Sequence, residues 1–329
     1  MTLTPTGALL FAQCRHANKT TDRPLLQDDM TQARVVSKFS HDFGKSWGPM
    51  KFLTPIGHSH GQIVYDTRRK RVLSQFQFHP NPDATINSRI FQRFSEDDGL
   101  TWGKVTEITS ALARCNPFAP YDMQVGTAGS KIQTSSGRII FLGHANGHAC
   151  RWWTDDGGKT YNTSSLYKGD EASVAELAPS KLYMNSRGLG FPWKGYRTSS
   201  WSENDGSIFD KPNVCNIRES DDFGCSASVI SERDSTDKNW TAGSRLFLAE
   251  PADPTRRRLL VHCSLDGGHT WPFSVDVNAD QPAAYTAMRL VPLENGEQRI
   301  LLVWEEAPTF HSKLLDISWC ERNSTKLGS

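Results

Sequence analysis

One octapeptide recurs along this chain, and it limits the available folds more than any other feature. It reads Ser40-His41-Asp42-Phe43-Gly44-Lys45-Ser46-Trp47, then Ser95-Glu96-Asp97-Asp98-Gly99-Leu100-Thr101-Trp102. It returns as Thr154-Asp155-Asp156-Gly157-Gly158-Lys159-Thr160-Tyr161 and as Ser264-Leu265-Asp266-Gly267-Gly268-His269-Thr270-Trp271. The shared pattern is Ser/Thr-x-Asp-x-Gly-x-Ser/Thr-aromatic. By average residue usage one such octamer arises by chance in roughly one chain in several hundred, so four copies mark an internal repeat. Asp and Gly at this spacing favour a tight turn, in which Asp caps nearby backbone N–H groups and Gly supplies φ > 0. The closing aromatic is expected to tuck under the turn as an apolar anchor. Apolar or alternating runs precede the boxes at 33–39, 89–94 and 259–263. Such runs read as strands, so each box is predicted to be a hairpin turn.

The spacing then sets the architecture. Boxes start at 40, 95 and 154, then at 264, which lies two periods further on. In the gap stands a decayed copy, Ser202-Glu203-Asn204-Asp205-Gly206-Ser207-Ile208-Phe209, with Asn204 in place of the Asp. A period near 55 residues, rich in strands and turns, fits one blade of a β-propeller. A chain of 329 residues holds about six, the last without a box. The expectation is an all-β, six-bladed β-propeller forming a single domain over 1–329, with a shortened first strand and boxes that serve as scaffold. Helical periodicity is plausible only at 104–113.

Composition excludes several classes of partner. Lys plus Arg is 37 against 36 for Asp plus Glu, so no net field draws nucleic acid or a membrane surface. No apolar run is long enough to span a bilayer, and Met1–Gly7 lacks the basic and apolar regions of a signal peptide. The seven cysteines are scattered without metal-ligand spacing and leave the redox compartment open. Sequons at Asn18, Asn162, Asn239 and Asn323 permit glycosylation. His144 and His148 are spaced like a zinc pair, but no further ligands accompany them, so they read as structural. His58 and His60 read likewise.

The boxes, with the segments between them, resemble the sialidases (neuraminidases), most closely the lysosomal-type animal form. The likeness runs through Thr4-Pro5-Thr6-Gly7-Ala8-Leu9-Leu10-Phe11-Ala12, Gly129-Ser130-Lys131-Ile132-Gln133 and Tyr183-Met184-Asn185-Ser186-Arg187. It continues in Leu248-Ala249-Glu250-Pro251 and Ala284-Tyr285-Thr286-Ala287-Met288. A sialic acid carries a carboxylate at its anomeric carbon, which Arg holds best through charge-assisted hydrogen bonds. An anionic nucleophile would repel that carboxylate, whereas a neutral Tyr activated by a neighbouring carboxylate does not; sialidases depart from the two-carboxylate rule in this way.

The resemblance implies Asp29 as acid/base, with Asp28 as the alternative if the loop shifts by one. It implies Tyr285 as nucleophile and Glu171 as its base, leaving Glu176 structural. Arg187 and Arg256 fall in the carboxylate clamp, although the adjacent Arg257 and Arg258 leave the register of the second open. Glu305 matches the Glu that braces the first clamp Arg. That first Arg, in a Phe/Tyr-Arg-Ile-Pro motif, would fall before Met1. The activity implied is a retaining exo-α-sialidase acting on terminal sialic acid of glycoproteins, oligosaccharides or gangliosides, without a cofactor. A lysosomal or secretory location goes with it; oligomeric state is not legible. A sialic-acid-binding propeller without turnover and a trans-sialidase are the alternatives.

Overall fold

The computed structural model describes residues 1–14, 30–80, 87–116, 123–126, 129, 131–145, 148–164, 167–188, 195–218, 224–232, 245–253, 255–293, 296–306 and 309–322. Six small antiparallel sheets follow one another along the chain. Blade 1 comprises Thr2–Thr4, Gly7–Cys14, Arg34–Ser40 and Lys51–Phe52. Blade 2 comprises His58–Asp66, Arg71–Phe78, Arg89–Ser95 and Thr106–Glu107. Blade 3 is built on Lys131–Gln133, Ile139–Ala145, His148–Thr154 and Asn162–Thr163, with short strands at Gln124–Val125 and Tyr167–Lys168. Blade 4 comprises Ala172–Ala178, Lys181–Ser186, Tyr196–Ser202 and Asn213–Arg218. Blade 5 comprises Ser228–Ser231, Leu246–Pro251, Leu259–Ser264 and Phe273–Asp276. Blade 6 has three strands, Ala284–Pro292, Gln298–Glu306 and Thr309–Asp316. First strands of successive blades touch, and blade 6 returns to blade 1. The fold is a six-bladed β-propeller.

The core is six layers, one between each pair of neighbouring blades. Ala8 and Leu10 face blade 6, while Leu9 and Phe11 face blade 2. A strand buried on both faces has no polar side to show, and this is why Gly7–Ala12 reads as a continuous apolar run. Backbone staples add to the packing near the axis. The Ser173 hydroxyl accepts the Val229 N–H at 2.9 Å, and that of Ser228 accepts Met288 N–H at 3.0 Å.

Each box begins on the last residue of a third strand. The Ser40 hydroxyl donates to Asp42 at 2.7 Å and accepts the Gly44 N–H at 2.6 Å. Asp42 also accepts the Ser46 N–H at 2.8 Å and its hydroxyl at 2.6 Å. The same four bonds form around Asp97, Asp156 and Asp266. Bonds from the Thr101 side chain and backbone push the Asp97 carboxyl down to about 2. The decayed box keeps three of them through Asn204 and loses the last because Ile208 has no hydroxyl.

The closing aromatic does more than tuck under its own turn. Trp47, Trp102, Tyr161, Phe209 and Trp271 each pack into the layer shared with the preceding blade. The box glycine sits against the same neighbour. At Gly268, with φ 92°, an added Cβ would lie 2.5 Å from the Tyr183 ring of blade 4. The box is therefore a joint between blades.

Blade 6 carries no box, and the layer between blades 5 and 6 is closed differently. A short helix at Trp319–Arg322 follows the last strand, and Trp319 packs into that layer with its ring 5.9 Å from Phe247. A Cys263–Cys320 disulfide, spanning 57 residues, ties blade 5 to this helix. The sequence pointed instead to a helix at 104–113. That segment forms the strand Thr106–Glu107 and a 3-10 helix at Thr109–Cys115, because Leu112 and Cys115 bury against blade 3 where α-helical periodicity is not needed.

Two outcomes check this account. Gly268→Ala is expected to destabilise by about 2–4 kcal/mol in chemical denaturation, from strain at positive φ plus the clash. Gly296→Ala shares the positive φ, at 83°, but meets nothing within 4 Å, and is expected to cost about 1 kcal/mol. Cys320→Ser is expected to cost about 2–4 kcal/mol.

Candidate active site

First strands start, and second strands end, on one face of the ring; the boxes, at the ends of third strands, lie on the other. Glu171 precedes the first strand of blade 4, and Arg187 follows its second strand. Arg256 lies in the connection after Leu246–Pro251, and Tyr285 is the second residue of the inner strand of blade 6. Glu305 is the penultimate residue of Gln298–Glu306. Chain direction thus puts all five on one face. Asp29 and its rival Asp28 lie outside the described residues.

Tyr285 occupies a bulge. Ala284 pairs with Glu305 and Thr286 with Trp304, leaving Tyr285 as the extra residue, with φ 38°. A side chain in this region costs about 1–2 kcal/mol, and a bulge re-aims it out of the pleat. Its backbone N–H donates to Cys225 Sγ at 3.4 Å. Burial pushes the Cys225 thiol up to about 11, so it stays protonated.

Of the three adjacent arginines, Arg256 lies against Tyr285. Its guanidinium lies 5.5 Å from the centre of the Tyr285 ring, and Nη2 donates to the Gly224 carbonyl at 3.1 Å. Arg257 and Arg258 pair instead with Asp280 at 3.8 Å and Asp276 at 3.2 Å.

Glu171 and Arg187 are buried together, 4% and 9% exposed. Arg187 Nη1 donates to Glu171 Oε2 at 2.7 Å. Asp170 Oδ2 lies 3.9 Å from the same nitrogen, and Asp170 Oδ1 pairs with His144 Nδ1 at 2.6 Å. Burial pulls the Arg187 guanidinium down, but Glu171 and then Asp170 outweigh it and hold it above its ordinary value. The Tyr285 hydroxyl is held well above the usual phenol range, first by the Glu171 carboxylate and then by burial; Arg187 and Arg256 pull the other way. One phenol, one carboxylate and two guanidinium groups thus lie near enough to act on one another's ionisation. Glu176, at the far end of the same strand, accepts the Ser135 N–H at 2.8 Å and is a structural link to blade 3. Glu305 is half-buried beside Tyr285 through its pairing with Ala284.

A second buried network holds the loop carrying Gly224 and Cys225. Arg197 is fully buried; its Nη1 donates to the Cys225 carbonyl at 2.9 Å and lies 3.8 Å from Glu250. Its Nε donates to Asn185, two residues before Arg187. Sequence reasoning missed Arg197, Cys225 and Asp170, and treated His144 as structural. The signal was topological: Cys225 and Asp170 stand just before first strands, and His144 near the end of a second strand. Arg197→Met is expected to destabilise by about 3–5 kcal/mol in urea denaturation, because the buried Glu250 is left with His262 as its counterpart and the Cys225 carbonyl and Asn185 lose a donor. Arg197→Met with Glu250→Met is expected to recover much of that loss.

Comparison with known proteins points the same way. Sialidase-3 of Rattus norvegicus is 28% identical over 172 residues, which is 44% of this chain and 39% of that protein. A sialidase of Bacteroides fragilis is 24% identical over 270 residues, 70% of this chain and 47% of its own length. The chain spans less than half the length of either. Among solved structures, the Hadza microbial sialidase Hz136 superposes with a TM-score of 0.74 at 21% identity, covering 95% of this chain and 64% of its own. The intramolecular trans-sialidase from Ruminococcus gnavus gives 0.65 at 13% identity, over 88% of each chain. At these identities the structures speak for the fold. The family of BNR repeat-like domains matches residues 27–296, and the chain belongs to that family.

Proposed function

We propose that this chain is a retaining exo-α-sialidase that removes terminal sialic acid from glycoproteins, oligosaccharides or gangliosides. The reading is supported by the Arg187–Glu171 bond and the Arg256–Tyr285 contact on one face of the ring, with the Glu171 carboxylate acting on the Tyr285 hydroxyl. Arg187 and Arg256 clamp the substrate carboxylate; a charge-assisted contact of this kind contributes about 2–4 kcal/mol in a desolvated pit. The Tyr285 hydroxyl attacks the anomeric carbon while Glu171 takes its proton, and Asp29 protonates the departing glycosidic oxygen. In the second half Asp29 accepts a proton from water, water displaces the phenolate, and Glu171 returns the proton to Tyr285. Two inversions give retention. A protonated phenol at rest suits this scheme, since a charged nucleophile would repel the ligand it attacks. Glu305, paired in the strand with Ala284 next to Tyr285, takes the place of the Glu that braces the first clamp Arg.

The test is turnover of a 4-methylumbelliferyl α-sialoside. Tyr285→Phe is expected to lower kcat by about a thousandfold or more, and Arg256→Ala to raise KM by about thirtyfold or more. Undiminished turnover in Tyr285→Phe would overturn the mechanism. Saturable binding without turnover would favour a sialic-acid-binding propeller, and transfer to lactose a trans-sialidase.

A further inference from the structure

We propose that His144 and Asp170 form a positioning pair whose protonation sets the charge of the carboxylate clamp. The proposal rests on the reading of the site given above and concerns its regulation.

The geometry is a chain of four side chains. Main-chain bonds fix the frame: Asp170 N–H donates to the Arg187 carbonyl and Arg187 N–H to that of Glu171, each at 3.0 Å. In this frame the neighbouring carboxylates of Asp170 and Glu171 converge on a single guanidinium nitrogen, at 3.9 and 2.7 Å. Two anions on one cation would neutralise Arg187 beyond its charge and leave little for a ligand. His144, reaching over from blade 3, takes up the second anion at 2.6 Å. Asp170 is 4% exposed, so its charge is not screened by water.

The groups that act on His144 are Asp170, Glu171 and Arg187 of blade 4. The residues opposite it in its own sheet, Ala149 and Gln124, are uncharged. Burial pulls the imidazole down, but Asp170 and then Glu171 outweigh it, and the ring is held above its ordinary value. Burial would raise the Asp170 carboxyl, but His144 outweighs it and holds it below the usual range. Because the imidazole is raised, the pair is fully formed below the ordinary histidine value and is lost as pH climbs through the raised one.

The consequence follows from the balance of charge. With His144 protonated, the cluster of His144, Arg187, Arg256, Asp170 and Glu171 carries one more positive charge than with His144 neutral, and Glu305 on blade 6 adds the same background to both states. His144 stands behind Asp170, which lies 3.9 Å from Arg187 Nη1, and losing its charge at that remove, in a poorly screened site, weakens binding of a carboxylate by up to about tenfold. The effect falls on KM, since the clamp holds ground state and transition state alike.

The experiment has two readouts on the full chain. The first is the NMR titration of the imidazole, assigned by its disappearance in His144→Gln, and it needs no activity. The His144 titration is expected above 6.5, and Asp170→Asn is expected to bring it below that value. The second is KM against pH for the 4-methylumbelliferyl sialoside. In the wild type KM is expected to rise about tenfold through the His144 titration while kcat moves less. His144→Gln is expected to give a high KM at every pH, and Asp170→Asn a low KM above about pH 6.5, with its pH dependence moved below that value along with the imidazole. A titration at or below 6.5 in the wild type, or a KM course in His144→Gln that follows the wild type, overturns the proposal. Absence of sialoside turnover would overturn the proposed function instead, leaving the imidazole titration to decide the pair.

Discussion

The structure depends on the joint that each box makes with the blade before it. A hydroxyl and a carboxylate tie the turn together, glycine lets the backbone approach, and the closing aromatic fills the layer between blades. An isolated four-stranded sheet of this kind buries neither face; a ring buries both. Gly44 of blade 1 packs against Leu301 of blade 6, so the first joint is also the one that closes the ring. The remaining interface, between blades 5 and 6, uses Trp319 and the Cys263–Cys320 disulfide in place of a box. A covalent tie at the one layer without the repeat joint is what a ring needs if no interface is to open first.

Closure has a chemical result. Residues more than a hundred positions apart, Glu171 and Tyr285, come within strong electrostatic reach because both stand at the starts of inner strands, two blades apart. No local segment holds more than part of the site. The bulge at Tyr285 concentrates backbone strain where a phenol must leave the regular pleat, and the rigid blade 6 sheet maintains it. Arg197 and Glu250 form a buried support beneath the Cys225 loop. Its worth lies in fixing position; an ion pair removed from water contributes little net stability.

The ring was legible in the sequence because its constraint is periodic. Four boxes and a decayed fifth fix blade number, and the both-sided burial of strands such as Gly7–Cys14 leaves an apolar run that cannot be missed. The family resemblance named Glu171, Arg187 and Tyr285, and the structure brings these three to one face of the ring. The register among Arg256, Arg257 and Arg258 was not legible, because three identical side chains differ only in what lies beside them in the fold: Arg256 lies against the Tyr285 ring, while Arg257 and Arg258 pair with Asp280 and Asp276. Cys225, Arg197 and the His144–Asp170 pair escaped because their partners lie on other strands or other blades. No sequence interval encodes such a contact. The helix expected at 104–113 is a 3-10 helix at Thr109–Cys115 whose Leu112 and Cys115 bury in the layer between blades 2 and 3. Asp29 stands outside the described residues, and its role rests on the family spacing alone.

The central claim is that a neutral phenol, made reactive by a carboxylate from another blade, forms the bond to the sugar. The most direct measurement is mass spectrometry of the intact chain and its peptides after incubation with a 3-fluoro sialosyl fluoride, which slows release of a covalent intermediate. The account predicts a single added sugar on the peptide carrying Tyr285, absent in Tyr285→Phe. An adduct on a carboxylate, or none in a chain that still turns over, would contradict it.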